Sequence, residues 1–139
     1  MGNTVSDVEV VKAYCDAWLA GDVMTVVSLY HEDLTLDWPG QHHLAGTHVG
    51  QQASVEALLA LQAQTDRTPI EVVDMLVGQD SVAAKVVERW SRPADDGETE
   101  VLEHTRILEF TVEDARLRTC RIYESAQPEI DEWLGSSRK

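Results

Sequence analysis

One β-rich run, Thr99 to Thr111, carries two residue types suited to proton transfer and anion binding. His104 and Arg106 are two residues apart, so in a strand they share a face, together with Leu108. An imidazole titrates near neutral pH and can act as a general acid or base, unless a neighbouring carboxylate holds it as a structural histidine. A buried guanidinium either binds a ligand oxygen or forms a salt bridge. We therefore take His104 as the candidate general acid or base and Arg106 as a candidate anion-stabilising group.

Two aromatic side chains could complete such a site. Tyr14 lies on the apolar stripe of the first predicted helix, where it either packs in the core or donates a hydrogen bond to a carbonyl oxygen. Trp38 ends a predicted strand, and its flat ring either lines a pocket or packs in the core. Both roles stay open for each residue.

A polar segment from 41 to 50 contains His42, His43 and His48. Three imidazoles this close in sequence could bind a metal ion, but the segment has neither the HExxH spacing nor a cysteine partner. The chain also has no dinucleotide-binding fingerprint and no phosphate-binding GK[ST] pattern. We therefore predict no metal site and no cofactor.

The charge balance excludes several classes of partner. The 139 residues include 11 Lys and Arg against 25 Asp and Glu, a formal net charge of −14 at pH 7. Such a surface repels phosphates and anionic lipid, and no basic cluster offsets it, so neither nucleic acid nor a membrane is expected as a partner. There is no long apolar run, no signal-peptide pattern and no CxxC pair. We expect a cytoplasmic protein with one domain over residues 1–139 and a core from about 5 to 135.

Hydrophobic spacing predicts four helices and five strands. The helices cover 6–20, Asp22 through Tyr30, 51–65 and Pro128 to Gly135, and the strands cover Leu34–Trp38, Ile70–Val77, Val82–Arg92, Thr99–Thr111 and Arg116–Glu124. The last four strands are joined by tight turns, which requires antiparallel pairing. The order ααβαββββ predicts an α+β fold: three N-terminal helices cover a cone-like, curved antiparallel sheet and enclose an apolar cavity.

Nine short segments carry a family resemblance. They are Val10–Tyr14, Ala20–Asp22, His31–Asp33, Pro39–Gly40, Ala45–Gly50, Glu88–Trp90, Glu103–Arg106, Phe110–Asp114 and Arg121–Glu124. In this order they resemble the nuclear-transport-factor-2-like superfamily, and within it the SnoaL-like polyketide cyclases, the ketosteroid isomerases and the limonene-epoxide hydrolases. The resemblance implies a small hydrophobic ligand held inside the fold.

The catalytic residues of the ketosteroid isomerases transfer to this chain only in part. Tyr14 occupies the place of the tyrosine that helps to form their oxyanion hole. Their catalytic base would fall on Trp38, beside Asp37, and their protonated aspartate would fall near Arg106. Steroid isomerisation by the usual route is therefore disfavoured.

The limonene-epoxide hydrolases use an arginine and two aspartates around a water molecule. Arg89 matches the arginine, but the aspartate positions fall on Ser91 and Ile122, which disfavours that route also. The same resemblance turns Arg89 and Ser91 toward the cavity, whereas hydrophobicity alone would turn Glu88 and Trp90 inward. The sequence leaves both orientations of this strand open.

The residues expected to bind substrate come from these faces and from the histidine-rich segment, which the resemblance places at the cavity mouth. They are Trp38, Arg89, Ser91, Leu108, Cys120, Ile122 and His43. The expected cavity therefore holds basic and aromatic groups and lacks the carboxylates of its enzyme relatives.

The leading functional hypothesis is a cyclase or isomerase for a small hydrophobic molecule of polyketide or terpenoid type. In one version His104 moves a proton while Tyr14 or Arg106 stabilises the developing enolate or alkoxide. In the other, the cavity walls, including Trp38, fold a flexible substrate into a reactive shape.

Two alternatives stay open. The first is a non-catalytic ligand-binding or dimerisation module, in which Ile107 and its neighbours on the outer sheet face pair two subunits as a homodimer. The second is an epoxide hydrolase with a rearranged site, in which Arg89 acts with Asp37 or Glu88.

Overall fold

A computed structural model describes residues 5–135 and contains four helices and six strands in that part of the chain. The elements in chain order are α1 Val5–Ala20, α2 Val23–Ser28, β1 Tyr30–Trp38, β2 Gly46–Val49, α3 Gln51–Thr65, β3 Thr68–Val77, β4 Val82–Pro93, β5 Thr99–Glu113, β6 Arg116–Glu124 and α4 Gln127–Leu134. None of these helices is both long and apolar enough to cross a membrane.

The strands form one sheet in the order β2-β1-β6-β5-β4-β3. All neighbours are antiparallel except β1 and β6, which run parallel. The β5–β6 hairpin turns at Asp114 and Ala115, whose φ angles of 56° and 59° are those of a tight turn that follows the twist of the two strands. The predicted α+β class and the antiparallel pairing of the four long strands are confirmed.

Three details of the predicted elements are wrong. Gly46–Val49, expected to be irregular, forms the short edge strand β2, because its backbone pairs with β1. Tyr30, assigned to the second helix, is instead the first residue of β1. Helix α2 buries none of its residues and lies against α1 and β1, so α1 and α3 provide most of the helical cover of the sheet.

Strand β4 pairs with β5 without a shift in register, from Val82 opposite Phe110 to Pro93 opposite Thr99. Side chains therefore alternate strictly between the two faces. Glu88 and Trp90 are fully buried under the helices, as the hydrophobic pattern favours.

The core lies between this inner sheet face and the helices α1, α3 and α4. It is mostly apolar and aromatic, with Trp90, Phe110 and Leu61 among the largest fully buried side chains. Glu88 and Arg106 are buried with them, at 0% and 1% exposure. Buried charges are costly unless they are paired, so the contacts of these two residues decide what the interior can do.

Candidate active site

Arg106 lies at the centre of a buried ion network. Its Nε and Nη2 atoms donate to the two carboxylate oxygens of Glu124 at 2.9 and 2.6 Å, and its Nη1 donates to the oxygens of Glu88 at 3.1 and 3.2 Å. The guanidinium also lies over the rings of Trp38 and Trp90, 5.4 and 5.5 Å from their centroids. Burial alone would lower the pKa of Arg106, but the two carboxylates outweigh it and raise that pKa. These contacts match the salt-bridge alternative for Arg106.

Two carboxylates are therefore present in the interior that was expected to lack them. The side chains of Glu88 and Glu124 are both fully buried. Burial would raise the pKa of Glu88, but Arg106, Arg67 and a 2.9 Å hydrogen bond from Trp90 Nε1 outweigh it and hold that pKa below its usual range. Glu88 is thus a stable anion, suited to balancing charge rather than to accepting a proton.

His104 lies directly across the β4–β5 ladder from Glu88 and is 6% exposed. Its ring packs edge-on against Trp90, with the centroids 4.4 Å apart. Neither ring nitrogen has a hydrogen-bond partner among residues 5–135. Burial lowers the pKa of His104, against the opposing influence of Glu88, so the ring is neutral at pH 7. A neutral imidazole with an unused nitrogen can accept a proton.

Arg89 and Ser91 do not face the interior, so the inward orientation taken from the epoxide-hydrolase resemblance is wrong. Arg89 lies on the outer sheet face and its Nη2 donates to Glu103 at 2.9 Å. The unbroken β4 alternation that turns Glu88 inward turns both of these residues outward. Asp37 also binds partners of the outer face. Arg89 and Glu88 thus lie on opposite faces of one strand and cannot act on one substrate together.

The remaining expected contact residues have mixed positions. Trp38, Leu108 and Ile122 are buried on the inner face, at 3%, 6% and 2% exposure, where they pack in the core. Cys120 pairs with Phe110 across the ladder, and burial raises the pKa of its thiol to about 12, which keeps it unreactive near neutral pH.

The histidine-rich segment uses its imidazoles for local structure. His42 Nδ1 accepts from the Leu44 amide at 3.1 Å, and His48 Nε2 bonds to the Leu44 carbonyl at 2.7 Å. His43 is exposed and its Nε2 lies 2.7 Å from Gln64 Oε1. Each of the three imidazoles therefore has one ring nitrogen bound to a protein group, while the buried His42 Nε2 has no hydrogen-bond partner among residues 5–135. His43 does not border the pocket described below.

One group of metal-ligating side chains, not considered from the sequence, occurs in the described part of the chain: His31, Glu113 and Asp114. His31 Nδ1 accepts a hydrogen bond from the Asp33 amide at 3.0 Å. In the neutral ring that bond assigns the proton to Nε2, which lies 3.7 Å from Asp114. No lone pair is then left on His31 for a metal ion, and the Asp114 carboxylate lies beside its Nε2 instead.

A pocket of about 300 Å³ opens between α1, α2, α3 and the start of β3. Most of its wall is apolar, and the apolar lining includes Trp18, Val23, Val26, Val27, Val55 and Leu58. Three polar side chains border it, those of Tyr30, Gln62 and Arg67. An apolar wall with a few polar groups is typical of a small-molecule site. His104, Arg106 and Trp38 do not line this pocket.

Tyr30 connects the pocket to Tyr14. The two hydroxyl oxygens are 2.9 Å apart, and Tyr14 also packs against Phe110 with ring centroids 5.4 Å apart. Burial raises the pKa of both hydroxyls, so each keeps its proton at neutral pH. If Tyr14 donates to Tyr30, the Tyr30 proton is free to bind an oxygen atom in the pocket.

Arg67 connects the pocket to the ion network. Its Nη1 lies 3.7 Å from Glu88 Oε2, and its guanidinium carbon lies 5.4 Å from the centre of the Trp18 ring. Its Nε is buried and has no hydrogen-bond partner among residues 5–135.

Sequence reasoning missed Tyr30 and Arg67 as site residues. Tyr30 fitted the apolar stripe of the second predicted helix, and its place on β1 depends on pairing with Leu117, far along the chain. Arg67 lies between α3 and β3, where no periodic pattern applies, and its partner Glu88 is on another strand. The signal that was available is the inward hydrophobic face of β4, since a buried glutamate there needs a cationic partner.

The family model for the SnoaL-like domain matches residues 11–119 of the chain. The chain belongs to the SnoaL-like domain family. Among curated proteins, no sequence matches this SnoaL-like chain significantly.

Solved structures share the fold of this SnoaL-like chain at low sequence identity. Bal32a, from a soil-derived mobile gene cassette, is 20% identical with a TM-score of 0.81, over 94% of this chain and 97% of that one. TerC, co-crystallised with polyporic acid, is 15% identical with a TM-score of 0.72, over 93% and 98%. A proposed SnoaL-like polyketide cyclase from Jannaschia sp. CCS1 is 14% identical with a TM-score of 0.70, over 91% and 90%. The nuclear-transport-factor-2-like fold is confirmed by likeness to a protein of that fold from Burkholderia xenovorans LB400, which is 22% identical with a TM-score of 0.66, over 94% of this chain and 98% of that one.

Proposed function

We propose that this SnoaL-like protein is a cofactor-independent cyclase or isomerase that acts on a small, mostly apolar carbonyl compound bound between α1, α2 and α3. The observation that carries the proposal is the pocket of about 300 Å³ whose wall combines apolar side chains with Tyr30, whose hydroxyl is hydrogen-bonded to the buried hydroxyl of Tyr14. The family match supports a cyclase or isomerase role.

In this proposal Tyr30 donates a hydrogen bond to the carbonyl oxygen of the substrate. When a proton leaves the neighbouring carbon, negative charge moves onto that oxygen, and a donor held in place before the reaction stabilises it. Tyr14 makes the Tyr30 hydroxyl a stronger donor by donating a hydrogen bond to the Tyr30 oxygen. The apolar walls from α2 and α3 hold a flexible substrate in the conformation that reacts.

The proton acceptor in this scheme is His104 or water. The neutral, partnerless imidazole of His104 suits a general base, but His104 is not among the residues that line the pocket. If water accepts the proton, the reaction needs only the Tyr30 hydroxyl and the apolar walls. Replacement of His104 distinguishes the two acceptors, because the variant loses proton transfer and keeps substrate binding only if His104 is the base.

Two solved relatives are consistent with a small-molecule site on this fold. TerC was co-crystallised with polyporic acid, and the Jannaschia protein bears the name of a polyketide cyclase. These are properties of those proteins, and they support the present proposal only through the shared fold.

Hydrogen–deuterium exchange of a simple ketone tests the proposal without knowledge of the natural substrate. We expect the protein to accelerate exchange of the α-protons of 2-tetralone in D₂O above the buffer rate, as followed by NMR. Tyr30→Phe should lose most of this acceleration, and Tyr123→Phe, which changes an exposed tyrosine on the outer sheet face, should keep it. Absence of acceleration in the unmodified protein would contradict the proposal.

We also propose that the outer sheet face joins two copies of the chain. No helix within residues 5–135 covers this face, and it exposes Val101 and Tyr123 around the half-buried Ile107. Two ion pairs lie on it, Arg89 with Glu103 at 2.9 Å and Arg121 with Asp37 at 3.2 Å. The face is therefore close to neutral on a chain of charge −14, and two copies of it can meet without strong repulsion.

A further inference from the structure

Among the described residues, Arg67 is the single charged one that lines the pocket between α1, α2 and α3. Its side chain is 13% exposed, and the Trp18 ring packs beside its guanidinium. The only carboxylate in ion-pair range of Arg67, among the described residues, is Glu88, and the 3.7 Å separation is too long for a hydrogen bond. Arg67 is thus held in place electrostatically, without a hydrogen bond to Glu88.

The buried charges explain why Arg67 remains available. Glu88 accepts hydrogen bonds from Arg106 and Trp90, and Glu124 is bound by two nitrogens of Arg106. Both carboxylates are therefore satisfied without a hydrogen bond from Arg67. The Nε atom of Arg67, buried and without a partner among residues 5–135, is a donor that has been removed from water with nothing in exchange. Burial without a partner is costly for such a donor. Nε itself is closed to solvent, so a ligand in the pocket would contact the 13% of the Arg67 side chain that is exposed.

We propose that Arg67 makes this pocket selective for ligands that carry an anionic oxygen, such as a carboxylate or an ionised enol, on an otherwise apolar body. The inference rests on the proposed function for its site, and it adds the substrate class: an apolar oxo acid, whose carbonyl meets Tyr30 and whose anionic group meets Arg67. The planar guanidinium suits an oxyanion better than a neutral hydroxyl, since hydrogen bonds to charged groups are the stronger ones.

The net charge of the protein opposes the binding of anions, so a measured preference for an anion can be assigned to a local contact. A chain of net charge −14 repels an anion before it reaches the pocket, so its overall charge favours a neutral ligand. A preference for the anion must therefore come from a local contact. Among the lining residues, Arg67 is the one that can provide it.

Calorimetric titration with two matched probes tests the proposal. The probes are 2-naphthoate and its neutral counterpart 2-naphthylmethanol, at pH 7.5 in 150 mM salt. We expect the unmodified protein to bind the carboxylate about tenfold or more tightly than the alcohol. Arg67→Met should bring the ratio of the two Kd values to about one while changing the Kd of the alcohol little, and Arg67→Lys should restore part of the ratio. Arg89→Met, which removes an arginine from a surface ion pair, should leave the ratio unchanged.

Each outcome decides one claim. Equal binding of both probes by the unmodified protein, or an undiminished ratio in Arg67→Met, overturns the role of Arg67 but leaves the pocket and the exchange activity standing. Binding of neither probe overturns the pocket, and the proposed function with it. If Arg67→Met does not fold, as judged by circular dichroism, the ratio in the unmodified protein and in Arg67→Lys still decides the matter.

Discussion

The hydroxyl oxygens of Tyr14 and Tyr30 lie 2.9 Å apart, and Tyr30 borders the pocket while Tyr14 does not. One tyrosine is thus placed to touch a ligand, and the other acts through it. This arrangement separates a direct contribution from an indirect one, and the two can be measured independently.

Replacement of either tyrosine by phenylalanine should reduce exchange of 2-tetralone by different amounts. Tyr30→Phe removes the donor to the developing oxyanion and should cost about 100-fold in rate. Tyr14→Phe removes a hydrogen bond to that donor and should cost about tenfold or less. The measurement is the NMR exchange rate at saturating ketone, with Tyr123→Phe as control. A loss in Tyr14→Phe as large as that in Tyr30→Phe would contradict the indirect role of Tyr14.

Glu88→Gln should destabilise the fold strongly. The substitution keeps the size of the side chain but leaves Arg106 with one carboxylate instead of two, in an interior where breaking an ion pair costs about 3 kcal/mol or more. Glu132→Gln is the matched control, because it likewise leaves an arginine, Arg92, with one carboxylate instead of two, but at an exposed position where the change should cost less than about 1 kcal/mol. Urea unfolding of the two variants measures the difference. Equal stability of the two would mean that the buried network contributes nothing beyond a surface pair.

The stability of the protein should fall as the pH drops below about 6.5, in part because of His104. Burial lowers the pKa of His104 in the folded state from the 6.5 of an exposed histidine. The unfolded chain therefore takes up a proton at this position before the folded protein does, and acid favours unfolding until the folded-state pKa is passed. For one proton the slope approaches about 1.4 kcal/mol per pH unit.

Urea unfolding between pH 8 and pH 5 checks this slope. His104→Asn should flatten it, because asparagine does not titrate. His43→Asn, at an exposed position, serves as the control and should retain the slope of the unmodified protein. A slope unchanged in His104→Asn would show that His104 is protonated as easily in the folded protein as in the unfolded chain.

Sedimentation should show a dimer that Ile107→Lys converts to a monomer. Ile107 is half-buried at the centre of the uncovered sheet face, where a lysine would bring two like charges together across a two-fold axis. Val49→Lys, at an exposed position on the edge strand β2, should leave the dimer intact. A monomer in the unmodified protein at micromolar concentration would contradict the assignment of this face.

The sequence predicts the elements of this fold better than it predicts their contacts. Alternation along β4 correctly turns Glu88 and Trp90 inward, because the ladder to β5 runs without a bulge. The resemblance to the epoxide hydrolases predicted that Arg89 faces inward, and this prediction is wrong. A match of positions between distant relatives does not show whether a charged side chain has a buried partner in this chain.

The contents of the interior follow from pairings that are distant along the chain. Arg106 meets Glu88 and Glu124 because β5 lies between β4 and β6, and that order in space is not a local property of any segment. The pocket lies where α2 and α3 approach the start of β3, so its polar residues come from segments with no shared pattern. The sequence places His104 and Arg106 on one face of a strand, but it does not reveal the carboxylates that surround Arg106.

A crystal structure of the protein soaked with 2-naphthol shows directly whether Tyr30 binds a ligand oxygen. We expect a naphthol ring between α1, α2 and α3, with its oxygen within about 3 Å of the Tyr30 hydroxyl. A ring bound elsewhere, or a ring in this pocket with its oxygen turned away from Tyr30, would contradict it.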